Sequence, residues 1–146
     1  MKQPPDEPIA HTPHTEIPLD KLGEIQPGLA RLMAEISDRY WIVYYAAKAD
    51  NWKLAALQSS ELEKALRIGS ITRPKYTNDI EAYIKGPLAS INKAIREKDW
   101  SSFVSSYNAG IESANEYHKD WNHEEIIWQL PDMPPPHLKL DVSNSS

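Results

Sequence analysis

Cysteine is absent from the 146 residues. That excludes disulfides, thiolate metal sites, a cysteine nucleophile and any thioether-linked cofactor. Glycine is scarce, with five residues, and leaves little material for a phosphate-cradling loop. Neither Gly-x-Ser-x-Gly nor His-Glu-x-x-His occurs, so the hydrolase and zinc-protease signatures are missing. No Glu-x-x-His pair occurs either, which argues against a di-iron carboxylate site in a helical bundle. Basic charge is in deficit: 16 Lys and Arg against 21 Asp and Glu give a net charge of −5. A chain of that sign lacks the basic patch that nucleic acid or an anionic membrane surface requires. No apolar run approaches the roughly 20 residues of a bilayer span. The start, Met1-Lys2-Gln3-Pro4-Pro5, lacks the apolar stretch of a signal peptide. The expected location is periplasmic, with a leader absent from this chain, otherwise cytoplasmic.

What the chain does contain is organised in three parts. Residues 1–26 carry Pro4, Pro5, Pro8, Pro13 and Pro18 with a thin scatter of apolar residues (Ile9, Ile17, Leu19, Leu22), the composition of an extended arm. Residues 129–146 mirror it, with Pro131, Pro134, Pro135 and Pro136 ahead of a polar end. Between them, residues 27–128 hold four stretches of helical periodicity. The first, from about Pro27 to Ala49, repeats Leu29, Leu32/Met33, Ile36, Tyr40, Val43/Tyr44 and Ala47 on one stripe. Its second half, Tyr40 to Ala47, is apolar all round and must bury two faces, one of them outside the core. A homodimer through this helix is the expectation. The second stretch starts at the N-cap Asn51 and runs through Trp52, Ala55, Ser59, Leu62 and Leu66 to an expected stop at Gly69. After a loop over 70–77, the third opens at Asn78-Asp79 and carries Ile80, Ile84, Leu88, Ile91 and Ile95, with Gly86-Pro87 predicting a kink or break. The fourth begins near Asp99 and carries Trp100, Phe103, Tyr107, Ile111, Ala114, His118 and Trp121. Short links favour antiparallel neighbours, so the expected fold is all-α: an antiparallel up-down four-helix bundle with Pro-rich extended arms at both ends.

The segments Gly28-Leu-Ala-Arg-Leu-Met33-Ala-Glu-Ile-Ser-Asp-Arg-Tyr40-Trp and Ala46-Ala-Lys-Ala-Asp-Asn51-Trp52-Lys-Leu-Ala resemble the opening of small bacterial c-type cytochromes of the cytochrome c-prime kind, which fold as four-helix bundles. The resemblance continues through Gly86-Pro87-Leu88, Ala94 to Asp99 and Phe103…Tyr107, and ends at Ala114-Asn-Glu-Tyr117-His118. Members of that family carry Cys-x-x-Cys-His there. In this chain the two cysteines are replaced by Ala114 and Tyr117 while the histidine stands at His118. Covalent haem attachment is therefore chemically impossible, and the family's usual activity does not carry over intact.

His118 lies seven residues after Ile111 and four after Ala114, on the inward stripe of its helix. One reading makes it a metal ligand, the axial ligand of a haem held without covalent bonds, with Met33 as a second ligand, for electron transfer or gas binding. The other makes it a histidine satisfied by a carbonyl or a tyrosine, with Ala114, Tyr117, Tyr40, Tyr44 and Trp121 filling the volume a porphyrin would take. A half-closed cavity would suit a smaller apolar ligand. The expected function is accordingly non-enzymatic: a haem-less binding or interaction protein without cofactor, whose partner is a small apolar molecule or another protein. The acidic and imidazole groups around it (Glu116, Asp120, His123, Glu124, Glu125) read as a solvated charged end, since His118 and His123 are five apart and fall on different faces. Trp41, Tyr44, Tyr45 and Trp52 form either a partner surface or the floor on which the Pro-rich arms lie.

Overall fold

A computed structural model describes residues 8–142, which are mainly helical with one small two-stranded sheet. Strands β1 (Ile9–His11) and β2 (Glu16–Pro18) form an antiparallel hairpin. The helices are α1 (Leu19–Ile25), α2 (Leu29–Lys48), α3 (Trp52–Thr72), α4 (Thr77–Tyr83), α5 (Ala89–Glu97) and α6 (Trp100–Asp120). The expected N-terminal arm is thus corrected over residues 8–25: it is a hairpin followed by a short helix, and residues 1–7 lie outside the described part. The Thr12 hydroxyl accepts from the backbone N–H of His14 and Thr15 and so holds the hairpin turn by the local side-chain route open to threonine. None of α1 is buried. The one described hydrogen bond linking residues 8–26 to the rest is Arg73 Nη1 to Gln26 Oε1, 2.9 Å.

Residues at the start of α2 meet the end of α3: Leu29 and Leu32 pack on Gly69. Further along, Arg39 donates to Gln58. Ser59 bonds to Asn92, and Ser70 to Thr77, so α3 is answered by α4 and α5 running the opposite way. Tyr40 meets Tyr107 and Tyr44 meets Phe103, which sets α6 against α2, again in opposite senses. Tyr83 and Asp79 reach Gly110 and Trp121 of α6. Between these elements lies a continuous core that includes Ile36, Val43, Leu62, Leu88, Ile91 and Phe103.

One local expectation changes. α3 does not stop at Gly69 but runs to Thr72. Gly69 serves the close approach of α2: a Cβ there would stand 2.7 Å from Leu29 Cδ2, well inside contact. The helix ends instead before Pro74, where Arg73 leaves the helical region (φ −134°, ψ 72°), which a following proline disfavours. At Gly86-Pro87 the α-helical ladder is interrupted as expected, by a wider turn rather than a loop. A π-helical turn, Ile84–Leu88, joins α4 to α5 and accommodates the missing proline N–H and the ring.

The links are tight because three non-glycine residues take left-handed backbone: Asp50 (φ 61°), Lys98 (φ 52°) and Asn122 (φ 60°). Each is followed by an N–H that returns to the preceding helix, Asn51 to Ala46, Asp99 to Ala94 and His123 to His118, the pattern of a helix closed by a Schellman turn. Asn51 and Asp99 then cap the next helix, accepting from Leu54 and Ser102 N–H.

The C-terminal segment lies on α2. Trp41 Nε1 donates to Met133 O, Tyr45 OH to Pro131 O and Asn51 Nδ2 to Leu140 O. A proline-rich stretch offers carbonyl acceptors and few donors, and α2 supplies donors to match. Leu140 and Pro135 are buried. The second apolar face of α2, expected to pair with another copy, is therefore covered by residues 129–140 of the same chain. Trp41 and Tyr45 are the floor of that arm, while Tyr44 and Trp52 belong to the core. None of the described helices is long and apolar enough to cross a membrane.

Candidate functional site

Ala114 to Trp121 form the last turns of α6, and the helical spacing that puts Ile111 and Ala114 inward brings His118 in with them: all three are buried, His118 to 4% exposure. A buried imidazole needs a partner. Here it is the Ile126 carbonyl, 3.2 Å from Nδ1. A carbonyl can only accept, so Nδ1 carries the proton and Nε2 is left with its lone pair. Among the described residues Nε2 has no hydrogen-bond partner. Burial pushes the His118 pKa down, with His123 acting in the same direction; the bond to Ile126 and the charge of Glu125 oppose it. The ring is neutral at pH 7.

The chain that delivers Ile126 turns back after α6 at Asn122 and is pinned one step later. Asn115 clamps Trp128 through both halves of its amide: Oδ1 accepts from Trp128 N at 2.7 Å and Nδ2 donates to Trp128 O at 2.9 Å. Trp128 then lies beside both His118 (ring centroids 6.1 Å apart) and Tyr40 (5.0 Å). Trp121 is fixed by Nε1–H to Asp79 Oδ2 at 2.7 Å and packs on Tyr76 and Tyr117.

Two spaces result. A small pocket of about 40 Å³ lies among Met33, Ala114, Tyr117, His118, Trp121, Tyr83 and Trp128. Outside it, a groove of about 660 Å³ opens where α2 begins and α3 and α6 end, lined by Leu29, Met33, Ser37, Arg73, Lys75, Tyr76, His118, Trp121, His123, Ile126 and Trp128 among others. Met33, His118, Trp121 and Trp128 line both. Of the six expected site residues, five therefore come together: His118, Met33, Tyr117, Ala114 and Trp121. Tyr40 does not line either space. It stacks on Tyr107 at 4.1 Å, and each hydroxyl donates to the other residue's carbonyl (2.6 and 2.7 Å). Its hydroxyl pKa is pushed far up by burial, so it stays a neutral structural donor.

The sequence reading missed Tyr83, Trp128, Tyr76, Arg73 and Lys75. Tyr83 was signalled by its place between Ile80 and Ile84. The others sit in turns or irregular chain, where periodicity gives no sign.

Of the two spaces that His118 lines, the smaller, about 40 Å³, is far below the roughly 300–1,000 Å³ of ordinary small-molecule sites and cannot take a haem; Tyr83, Tyr117, Trp121 and Trp128 surround it. Nor do the acidic neighbours gather on His118: His123 faces out and bonds Glu125 at 3.0 Å, and among the described residues no three His, Asp or Glu side chains are placed to hold a metal ion. Comparison of the chain with known protein families, with curated proteins and with solved structures gives no match.

Proposed function

We propose that this chain is a non-enzymatic binding protein built as an antiparallel up-down four-helix bundle of the cytochrome c-prime kind, in which the haem position has been closed and a groove beside it binds a small apolar ligand. The bundle arrangement is supported by the alternating direction of the contacts among α2, α3, the α4–α5 unit and α6. The observation that carries the functional reading is the pairing of the two spaces. The smaller space, about 40 Å³, has room for about three or four waters (one needs roughly 10–15 Å³). Immediately outside lies a groove of about 660 Å³, the size of an ordinary ligand site, floored by Met33, Trp121 and Trp128. Indole rings and a flexible thioether are the side chains that adapt best to a flat apolar guest.

Chemistry beyond binding has no support in the site. The imidazole is neutral with its Nδ1 proton committed to Ile126, and no nucleophile or carboxylate pair stands beside it. The test is a titration with a neutral two-ring aromatic, 2-naphthalenemethanol, followed by the indole N–H resonances of the five tryptophans. The signals of Trp121 and Trp128 shift, while those of Trp52 and Trp100 stay. Absence of any shift up to the solubility limit of the probe overturns the reading.

A further inference from the structure

The charge on the wall of this groove runs against the charge of the chain. Acidic residues outnumber basic ones 21 to 16, yet no Asp or Glu lines the groove, and Arg73 and Lys75 do. Among the described residues neither has an acidic partner. Arg73 Nη1 donates to Gln26 Oε1 at 2.9 Å and to Thr72 O at 2.7 Å, both uncharged acceptors. Lys75 Nζ sits 5.0 Å from the Tyr76 ring centroid. Among the described ion pairs neither has a carboxylate partner, as is also true of Arg31, Lys48, Lys53, Lys93, Arg96, Lys98 and Lys139; what sets Arg73 and Lys75 apart is that both line the groove. The third basic side chain on the groove, His123, is already bonded to Glu125.

Resting on the reading of the groove as a ligand site, we infer that its ligand class is an organic carboxylate with a flat apolar body: the carboxylate meets Arg73 and Lys75, and the ring system lies on Trp121, Trp128 and Met33. A guanidinium presents paired donors that match a carboxylate, and the neighbouring ammonium adds charge without geometric demand. A neutral guest would leave both cations as they are; an anionic one supplies the acidic partner that neither has among the described residues. His118 Nε2, with its lone pair free at the floor, accepts from a hydroxyl or N–H on the guest and repels a second carboxylate there. The ligand thus carries its acid at one end.

The experiment compares naphthalene-2-carboxylate with 2-naphthalenemethanol at pH 7.5, by calorimetry and by the Trp121 and Trp128 indole resonances, on the full chain. The carboxylate binds about tenfold tighter than the alcohol, the scale of one partly exposed charge contact, and the difference shrinks at 0.5 M salt as screening demands. Lys75→Gln, an exposed position whose one described contact is with the Tyr76 ring, removes much of that preference and leaves the alcohol's affinity unchanged. Arg73→Gln removes the rest. If both compounds bind equally and Lys75→Gln changes neither, the charge assignment falls while the groove reading stands. If neither binds, both fall.

Discussion

Gly110 sits in the middle of α6, where alanine is intrinsically the better helix former by about 1 kcal/mol. The structure reverses that preference. A Cβ at Gly110 would overlap the Tyr40 hydroxyl, stand 3.2 Å from the Tyr83 hydroxyl and 3.4 Å from Ile91 Cδ1. Tyr40 has nowhere to retreat: its ring stacks on Tyr107, its OH is bonded to Tyr107 O, and it is 4% exposed. Overpacking a filled core costs about 1–3 kcal/mol, and a displaced Tyr40 hydroxyl is a buried donor without its acceptor, another ~1–3 kcal/mol. Against the propensity gain, Gly110→Ala is expected to destabilise by about 1–5 kcal/mol, measured as the shift in urea midpoint at unchanged slope. Gly86→Ala is the control, since no atom lies within 4 Å of its Cβ position; it is expected to be neutral or slightly stabilising. Tyr40→Phe removes the overlapping oxygen, so the Gly110→Ala penalty becomes smaller in the Tyr40→Phe background. A Gly110→Ala protein as stable as the parent, or more so, refutes the packing of α2 against α6 described above.

Three further outcomes follow from the same contacts. Asn51 has two roles, a cap through Oδ1 and a tie to Leu140 through Nδ2; Asn51→Asp keeps the first and loses the second, so it costs less in denaturation than Asn51→Ala, whose lost cap alone costs ~1 kcal/mol. Removal of residues 129–146 uncovers the Trp41 and Tyr45 face of α2, and light scattering is expected to show more self-association than in the full chain; a truncated chain that scatters and melts as the full chain does contradicts the role given to the tail. Finally, the depressed pKa of His118 means that the unfolded chain takes up a proton near pH 6.5 before the folded chain does. Folding stability is therefore intact above that pH and declines as pH falls below it. Melting temperatures from pH 7 to 5 are expected to drop more steeply for the parent than for His118→Gln, and parallel curves would contradict a buried neutral imidazole.

Much of the helical order was legible because it follows from periodicity and capping: the stripe from Leu29 to Ala47, the caps at Asn51 and Asp99, and the inward turn of His118 all emerge from residue spacing. Gly69 misled, since a glycine that ends a helix and one that admits a neighbouring helix look alike in sequence; only the position of Leu29 distinguishes them. Asn122 and Lys98 hid their left-handed turns for a related reason, being residues that tolerate rather than demand that backbone. The site was half visible. Its helical members lie on predictable stripes, but Trp128 is placed by an amide clamp from Asn115, and Arg73 by the proline after it. Neither leaves a periodic trace. The all-apolar half of α2 rightly signalled a second burial surface; whether a partner molecule or the chain's own tail covers it is a question of distant contacts, beyond spacing.

The most direct test of the closed haem position is a hemin titration of the parent and of His118→Ala, read in the Soret region. Superimposable spectra are expected from the proposed closure of the space around His118 by Tyr83, Tyr117, Trp121 and Trp128. A sharpened, shifted Soret band in the parent that is lost in His118→Ala would contradict it.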